Sequence, residues 1–172
     1  MAAGDENRIE LRRPDGFGVE AGFESPAWIL RGNLPGAASP CWTLPYLAES
    51  GLVFQEAILD GARLFLTGKF GSRLDSAVVE LHDDRVHFDV AQRWTGALDP
   101  AVLGLEFHAG AAAAGVEGGL SADSFPLLPL YGPFAVPFAW RPNPGGLALR
   151  IAGSGEPGAS KTVHYGFAWR PR

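Results

Sequence analysis

A single cysteine in 172 residues removes a whole class of architectures. Cys41 has no second thiol to pair with, so neither an internal disulfide framework nor a thiolate metal cluster can organise this chain. Lysine is nearly as scarce, with Lys69 and Lys161 set against twelve arginines and no basic run anywhere. At a net charge of −5 the chain lacks the electrostatic footprint of a nucleic-acid binder, and no nucleic-acid partner is expected. No apolar stretch reaches the ~20 residues of a membrane-crossing helix, so no membrane partner is expected either. Residues 1–7 are polar and acidic rather than basic and then apolar, which reads as a flexible tail and not as a secretory leader. There is no Asn-x-Ser/Thr acceptor. With the lone thiol, these absences point to a reduced, cytoplasmic compartment.

What the chain does have is turns and alternation. Its 23 glycines and 14 prolines follow no fixed period, and 47% of its residues are apolar. Many short strands joined by tight turns use such a composition naturally. Ile9 and Leu11 alternate with arginines, Pro14-Asp15-Gly16 is a turn signal, and Phe17, Val19, Ala21 and Phe23 share the next face. Ala27–Arg31 adds a third strand. Residues 32–51, punctuated by Pro35, Pro40 and Pro45, fit either a long loop or a short helix starting near Pro45. Asp60-Gly61 predicts a type I′ hairpin between Leu52–Leu59 and Ala62–Phe70. Asp83-Asp84 predicts a second hairpin, Ser76–His82 against Arg85–Gln92, with Val86, Phe88 and Val90 on one face. Ala101–His108, a strand from about Phe138, Leu147–Ala152 and the stretch Val163–Trp169 complete the set. Residues 8–172 therefore read as a single all-β domain of about nine or ten short strands, an antiparallel β-barrel or a β-sandwich. The barrel is preferred, because the last strand can close against the first and abolish open edges. It resembles the lipocalins in architecture only, since their N-terminal G-x-W is missing.

The segment Phe138-Ala139-Trp140-Arg141-Pro142 returns as Phe167-Ala168-Trp169-Arg170-Pro171. On two similar strands, Trp140 and Trp169 belong to one surface and Arg141 and Arg170 to the other. The uniform apolar face Val163, Tyr165, Phe167 and Trp169 belongs inside. Trp140, Tyr165, Phe167, Trp169, Tyr131 and Phe138 are thus the candidate lining of an aromatic cavity. A small apolar or aromatic ligand is the expected partner, with confinement promoting its cyclisation or isomerisation. A homo-oligomer is compatible with the chain.

Acid–base candidates come from the second hairpin. A two-residue turn at Asp83-Asp84 sets Glu80 opposite His87, with Asp89 on the same face. A neighbouring carboxylate brings an imidazole into the useful pH range. Glu80, His87 and His164 are the candidate catalytic residues; against them stands a solvated, charge-paired hairpin face. No metal site or cofactor is expected, because the histidines and the single cysteine have no ligand spacing. Gly155–Thr162 nearly matches a phosphate-binding loop, but the strand pattern after it replaces the helix such a loop requires. Cys41 has no hydrolase signature around it and reads as a buried, inert thiol. Pro126-Leu127-Leu128-Pro129 has the P-x-x-P shape but apolar flanks, which suits a strap over a sheet edge better than a polyproline ligand. Two weaker alternatives are a β-sandwich that binds sugar or protein through exposed Trp and Tyr, and a hydrolase or metal enzyme using His, Asp and Glu.

Overall fold

The alternating stretches become strands in a computed structural model that describes residues 6–48, 51–97, 99–111, 113, 120–129, 136–152 and 161–171. In chain order these are β1 (Arg8–Arg12), β2 (Gly18–Glu24), β3 (Ala27–Asn33), β4 (Trp42–Leu44), β5 (Glu56–Asp60), β6 (Arg63–Phe70), β7 (Arg73–Leu81), β8 (Val86–Trp94), β9 (Gly104–Ala109), β10 (Leu127–Leu128), β11 (Phe138–Asn143), β12 (Gly146–Ile151) and β13 (Thr162–Trp169). Every pairing is antiparallel. One sheet runs β1-β2-β3-β4-β9-β12-β11, the other β10-β13-β8-β7-β6-β5. This is a β-sandwich, not the preferred barrel. The closing pair does not exist: β13 lies between β8 and β10, while the first hairpin faces it across the interior, with Phe17 5.2 Å from Trp169. The likeness to a lipocalin barrel falls with it. No helix among the described residues is long and apolar enough to cross a membrane.

Local turn chemistry sets the hairpins. The expected turn at Asp60-Gly61 is displaced by one residue. Asp60 pairs with Arg63, so the loop is Gly61-Ala62, with Gly61 at φ +58° in its first position. That is the arrangement of a II′ rather than a I′ turn, which needs two positive φ values. The Asp83-Asp84 hairpin forms as expected: Leu81 pairs with Val86, and the His82 N–H donates to the Arg85 carbonyl at 2.9 Å. Residues 45–47 are irregular, and Ala48 lies in a 3-10 turn. Trp42–Leu44 inserts between β3 and β9, too short to carry a readable period.

Period-two logic places the core. Val19, Leu30, Trp42, Phe107 and Leu149 of the first sheet meet Leu66, Val79, Phe88, Phe167 and Trp169 of the second, all fully buried. Rings interlock both within each sheet and across the gap between them. Trp42 stands edge-on to Phe88, Phe107 and Trp169, Phe88 stacks on Phe167 at 4.6 Å, and Phe138 lies 4.3 Å from Tyr165. The repeated pentapeptide sits on opposing sheets in the same phase, and Trp140 meets Phe167 edge-on at 5.3 Å.

One inward-facing group is polar. Arg73 donates from Nε and Nη2 to the two oxygens of Asp75, both at 2.8 Å, and both side chains are almost wholly buried. Asp75 also accepts from the Val53 N–H at 2.9 Å and from Gln92 Nε2 at 3.2 Å. Gln92 Oε1 in turn accepts from the Gly104 N–H at 2.7 Å and the Tyr165 hydroxyl at 3.0 Å. Arg73 Nη2 reaches the carbonyls of Gly51 at 2.5 Å and Ala48 at 3.2 Å. The network ties the β4–β5 crossover to both sheets. Burial of a charge is tolerable only with such complete pairing.

Candidate functional site

Alternation that buries one face of the second sheet projects the other face outward. The registers assemble it into rows across the strands. One row is Asp60, Arg63, Glu80, His87 and Ala168; the next is Ile58, Phe65, Val78, Asp89 and Gly166; the third is Glu56, Thr67, Ser76, Ala91 and His164. Gly166, Ala168 and Ala91 have little or no side chain, so the surface dips where β8 and β13 adjoin. The result is a trough. Its central part, about 410 Å³, has Phe65, Val78, Leu128 and Pro129 as apolar contacts and Arg63, Glu80, His87 and Asp89 as polar ones. A cleft of about 200 Å³ continues it past Phe65, Val78 and Asp89 to His164. At the other end Leu128 and Gly166 lead into an apolar cleft of about 200 Å³ between the sheets, where Val136, Pro137, Phe138 and Tyr165 stand.

All three acid–base candidates line this trough. Glu80 and His87 are direct cross-strand partners, as the hairpin register predicts. Glu80 accepts from Arg63 Nε at 3.2 Å and has His82 Nε2 3.8 Å away; the His82 and His87 rings lie 4.2 Å apart. Arg85 Nε donates to His87 Nε2 at 2.7 Å, so that nitrogen carries a lone pair and the proton of the neutral ring sits on Nδ1. Burial, then the electrostatic influence of neighbouring His82 and Arg85, push the His87 pKa below its usual value, against a smaller opposing pull from Glu80. His87 is therefore neutral at neutral pH. Protonation at Nε2 would set two donors against each other.

His164 lies two rows away, ~14 Å along the strand direction, and makes a different pair. Its Nε2 is hydrogen-bonded to Asp89 Oδ1 across the β8–β13 seam. Among the described residues this carboxylate–imidazole dyad has no nucleophile in hydrogen-bond contact with it. Ser76 shares its cleft, but Ala91 stands between them in the row, and the Ser76 hydroxyl is directed at the Ala91 carbonyl at 3.5 Å. Glu80, His87 and His164 thus do not form one catalytic unit. Among the described residues no group of three His, Cys, Asp or Glu side chains could hold a metal ion.

The aromatic candidates divide. Phe138 and Tyr165 reach the apolar end of the trough. Phe167 and Trp169 are core residues, and half-buried Trp140 is packed against the core with its indole N–H donated to the Phe125 carbonyl at 2.7 Å. Tyr131 lies outside the described residues, as does most of the Gly155–Thr162 segment; Thr162 opens β13, and a strand follows where a phosphate loop would need a helix. None of the five tryptophans is exposed, so a surface site built on exposed indoles is not formed. Cys41 is buried, and burial raises its thiol pKa, which keeps it unreactive. The Pro126–Pro129 segment is a strap: Leu127 and Leu128 pair with β13, and the Pro126 carbonyl accepts from the Ala168 N–H at 3.0 Å.

Sequence reasoning missed Phe65, Val78 and Leu128. The local signal existed, since Phe65 and Val78 lie on the outward phase of their strands, but the strap's position over β13 is a non-local fact. The chain matches no protein-family model, and no curated protein or solved structure resembles it significantly.

Proposed function

We propose that this protein is a binding protein that takes a small, largely apolar or aromatic molecule in the trough over its second sheet. The observation that carries the reading is the central cleft of about 410 Å³, in which Phe65, Val78, Leu128 and Pro129 stand beside Glu80, His87 and Asp89. Concavity, apolar contact and a few convergent polar groups are what a small-molecule site needs. Neutral His87 offers its Nδ1–H, while Glu80 and Asp89 accept hydrogen bonds. A flat molecule bearing a hydroxyl or amine fits this donor and acceptor set. A reduced, cytosolic setting suits the single buried thiol.

The test is a heteronuclear NMR titration with 1-naphthol and indole as probes. Saturable shifts at Phe65, Val78, His87 and Gly166 are expected. Val78→Arg, an outward substitution that fills the trough, should abolish them while leaving the melting temperature within a few degrees. Shifts that map elsewhere, or that survive Val78→Arg, would overturn the reading.

A further inference from the structure

Two open sheets leave four edge strands, β1, β11, β10 and β5. Edges attract other strands, and proteins blunt them with charge, proline or brevity. Three of the four are blunted here. β1 alternates Arg8, Glu10 and Arg12, and Arg8 and Arg12 converge on Glu20 at 2.8 and 2.5 Å. β11 carries Arg141 and Pro142. β10 is two residues long, between Pro126 and Pro129.

β5 has no proline and is as long as β1, and its two charges, Glu56 and Asp60, flank an aliphatic centre. It reads Glu-Ala-Ile-Leu-Asp, and its Ile58 is 64% exposed, more than any other large apolar residue described. Its charges are also unmatched. Among the described residues Glu56 accepts only the Thr67 hydroxyl, at 3.0 Å. Asp60 faces Arg63 in register, but Arg63 turns to Glu80 on the far side, so Asp60 has no ion pair among the described residues. The outward face of this edge is therefore acid, aliphatic, acid, with successive groups ~7 Å apart.

We infer that β5 is a docking edge for an extended peptide segment of another protein, added as a further antiparallel or parallel strand. The segment presents a basic, an aliphatic and a basic side chain at alternate positions, opposite Glu56, Ile58 and Asp60. Main-chain hydrogen bonds supply the affinity and the alternate side chains the selectivity. A second copy of this chain is the poorer occupant: two-fold pairing centred on Ile58 sets Glu56 of each copy against Asp60 of the other, and directly opposed like charges destabilise a sheet. This edge is distinct from the trough, although Ile58 and Phe65 are cross-strand neighbours.

The experiment uses the full chain and a capped nine-residue peptide centred on Lys-Thr-Ile-Thr-Lys, with the Glu-for-Lys peptide as control. Amide shifts and slowed exchange should appear at residues 56–60, with about tenfold preference for the lysine peptide and weakening as salt rises. Glu56→Lys/Asp60→Lys should reverse that preference, and Val78→Arg should leave it unchanged, which separates this edge from the trough. Equal binding of both peptides, silent β5 amides, or self-association through β5 in sedimentation without peptide would each overturn the proposal.

Discussion

Asp75→Asn is the sharpest test of the buried polar network. The substitution keeps the shape of the side chain and removes its charge. Four donors point at the Asp75 carboxylate: Arg73 Nε and Nη2, the Val53 N–H and Gln92 Nε2. An amide offers one accepting oxygen and directs its own N–H groups at the remaining donors. It also strands a guanidinium that is 2% exposed. Removing one partner of a buried ion pair costs about 3–5 kcal/mol. At roughly 2–4 °C per kcal/mol for a chain of this size, the melting temperature should fall by about 6–20 °C. Urea unfolding at pH 7, followed by tryptophan emission and read at constant m-value, measures the loss. The paired change Arg73→Met/Asp75→Leu should recover part of it, because no buried charge remains, but not all, because Val53 N–H and Gly51 C=O lose their partners. A cost below about 1 kcal/mol for Asp75→Asn would refute the reasoning, since a stranded buried charge cannot be that cheap.

The remaining predictions concern packing and pH. Gly32→Ala places a Cβ 2.1 Å from Cε2 of the wholly buried Trp42, and overpacking there should cost about 1–3 kcal/mol and shift the tryptophan emission. Trp140→Phe removes the donor to the Phe125 carbonyl and should cost about 1–2 kcal/mol in the same unfolding assay. The Tyr165 hydroxyl is buried and its pKa lies well above the ordinary value, chiefly through burial, with Asp75 adding to it. The unfolded state ionises near pH 10, so this contribution to stability is intact below that and is lost as pH rises toward the folded value; phenolate absorbance from Tyr165 should appear only with unfolding. For His87 the sign is opposite. Its folded pKa is lowered, so its contribution is intact above about pH 6.5 and fades as pH falls through the folded value, and His87→Gln should flatten the acid limb of the stability profile.

Strand faces were legible because the side-chain period of two is a local property. It puts Val163, Tyr165, Phe167 and Trp169 on one face of their strand and Val86, Phe88 and Val90 on one face of theirs, whatever the neighbours are, and both faces are buried. The turn at Asp83-Asp84 is local too, so Glu80 could be set opposite His87 from the chain alone. Arg73, Asp75 and Gln92 break the same rule. Polar residues on an alternating strand belong outside, and these face inward only because the β4–β5 crossover, Gly104 and Tyr165 arrive from elsewhere with matching hydrogen bonds.

By itself, then, the sequence determined that the protein is all-β, which residues share a face, and, to within one residue, where the Asp60-Gly61 and Asp83-Asp84 hairpins turn. Tertiary structure decided which strands stand side by side. That choice opened the expected barrel into a sandwich, since β13 found β8 and β10 instead of β1. It also brought His164 to Asp89 across 75 residues of chain and laid the Leu127–Leu128 strap beside β13, which together make the trough. Strand partners are selected by burial summed over both sheets, a quantity that no single window of residues contains.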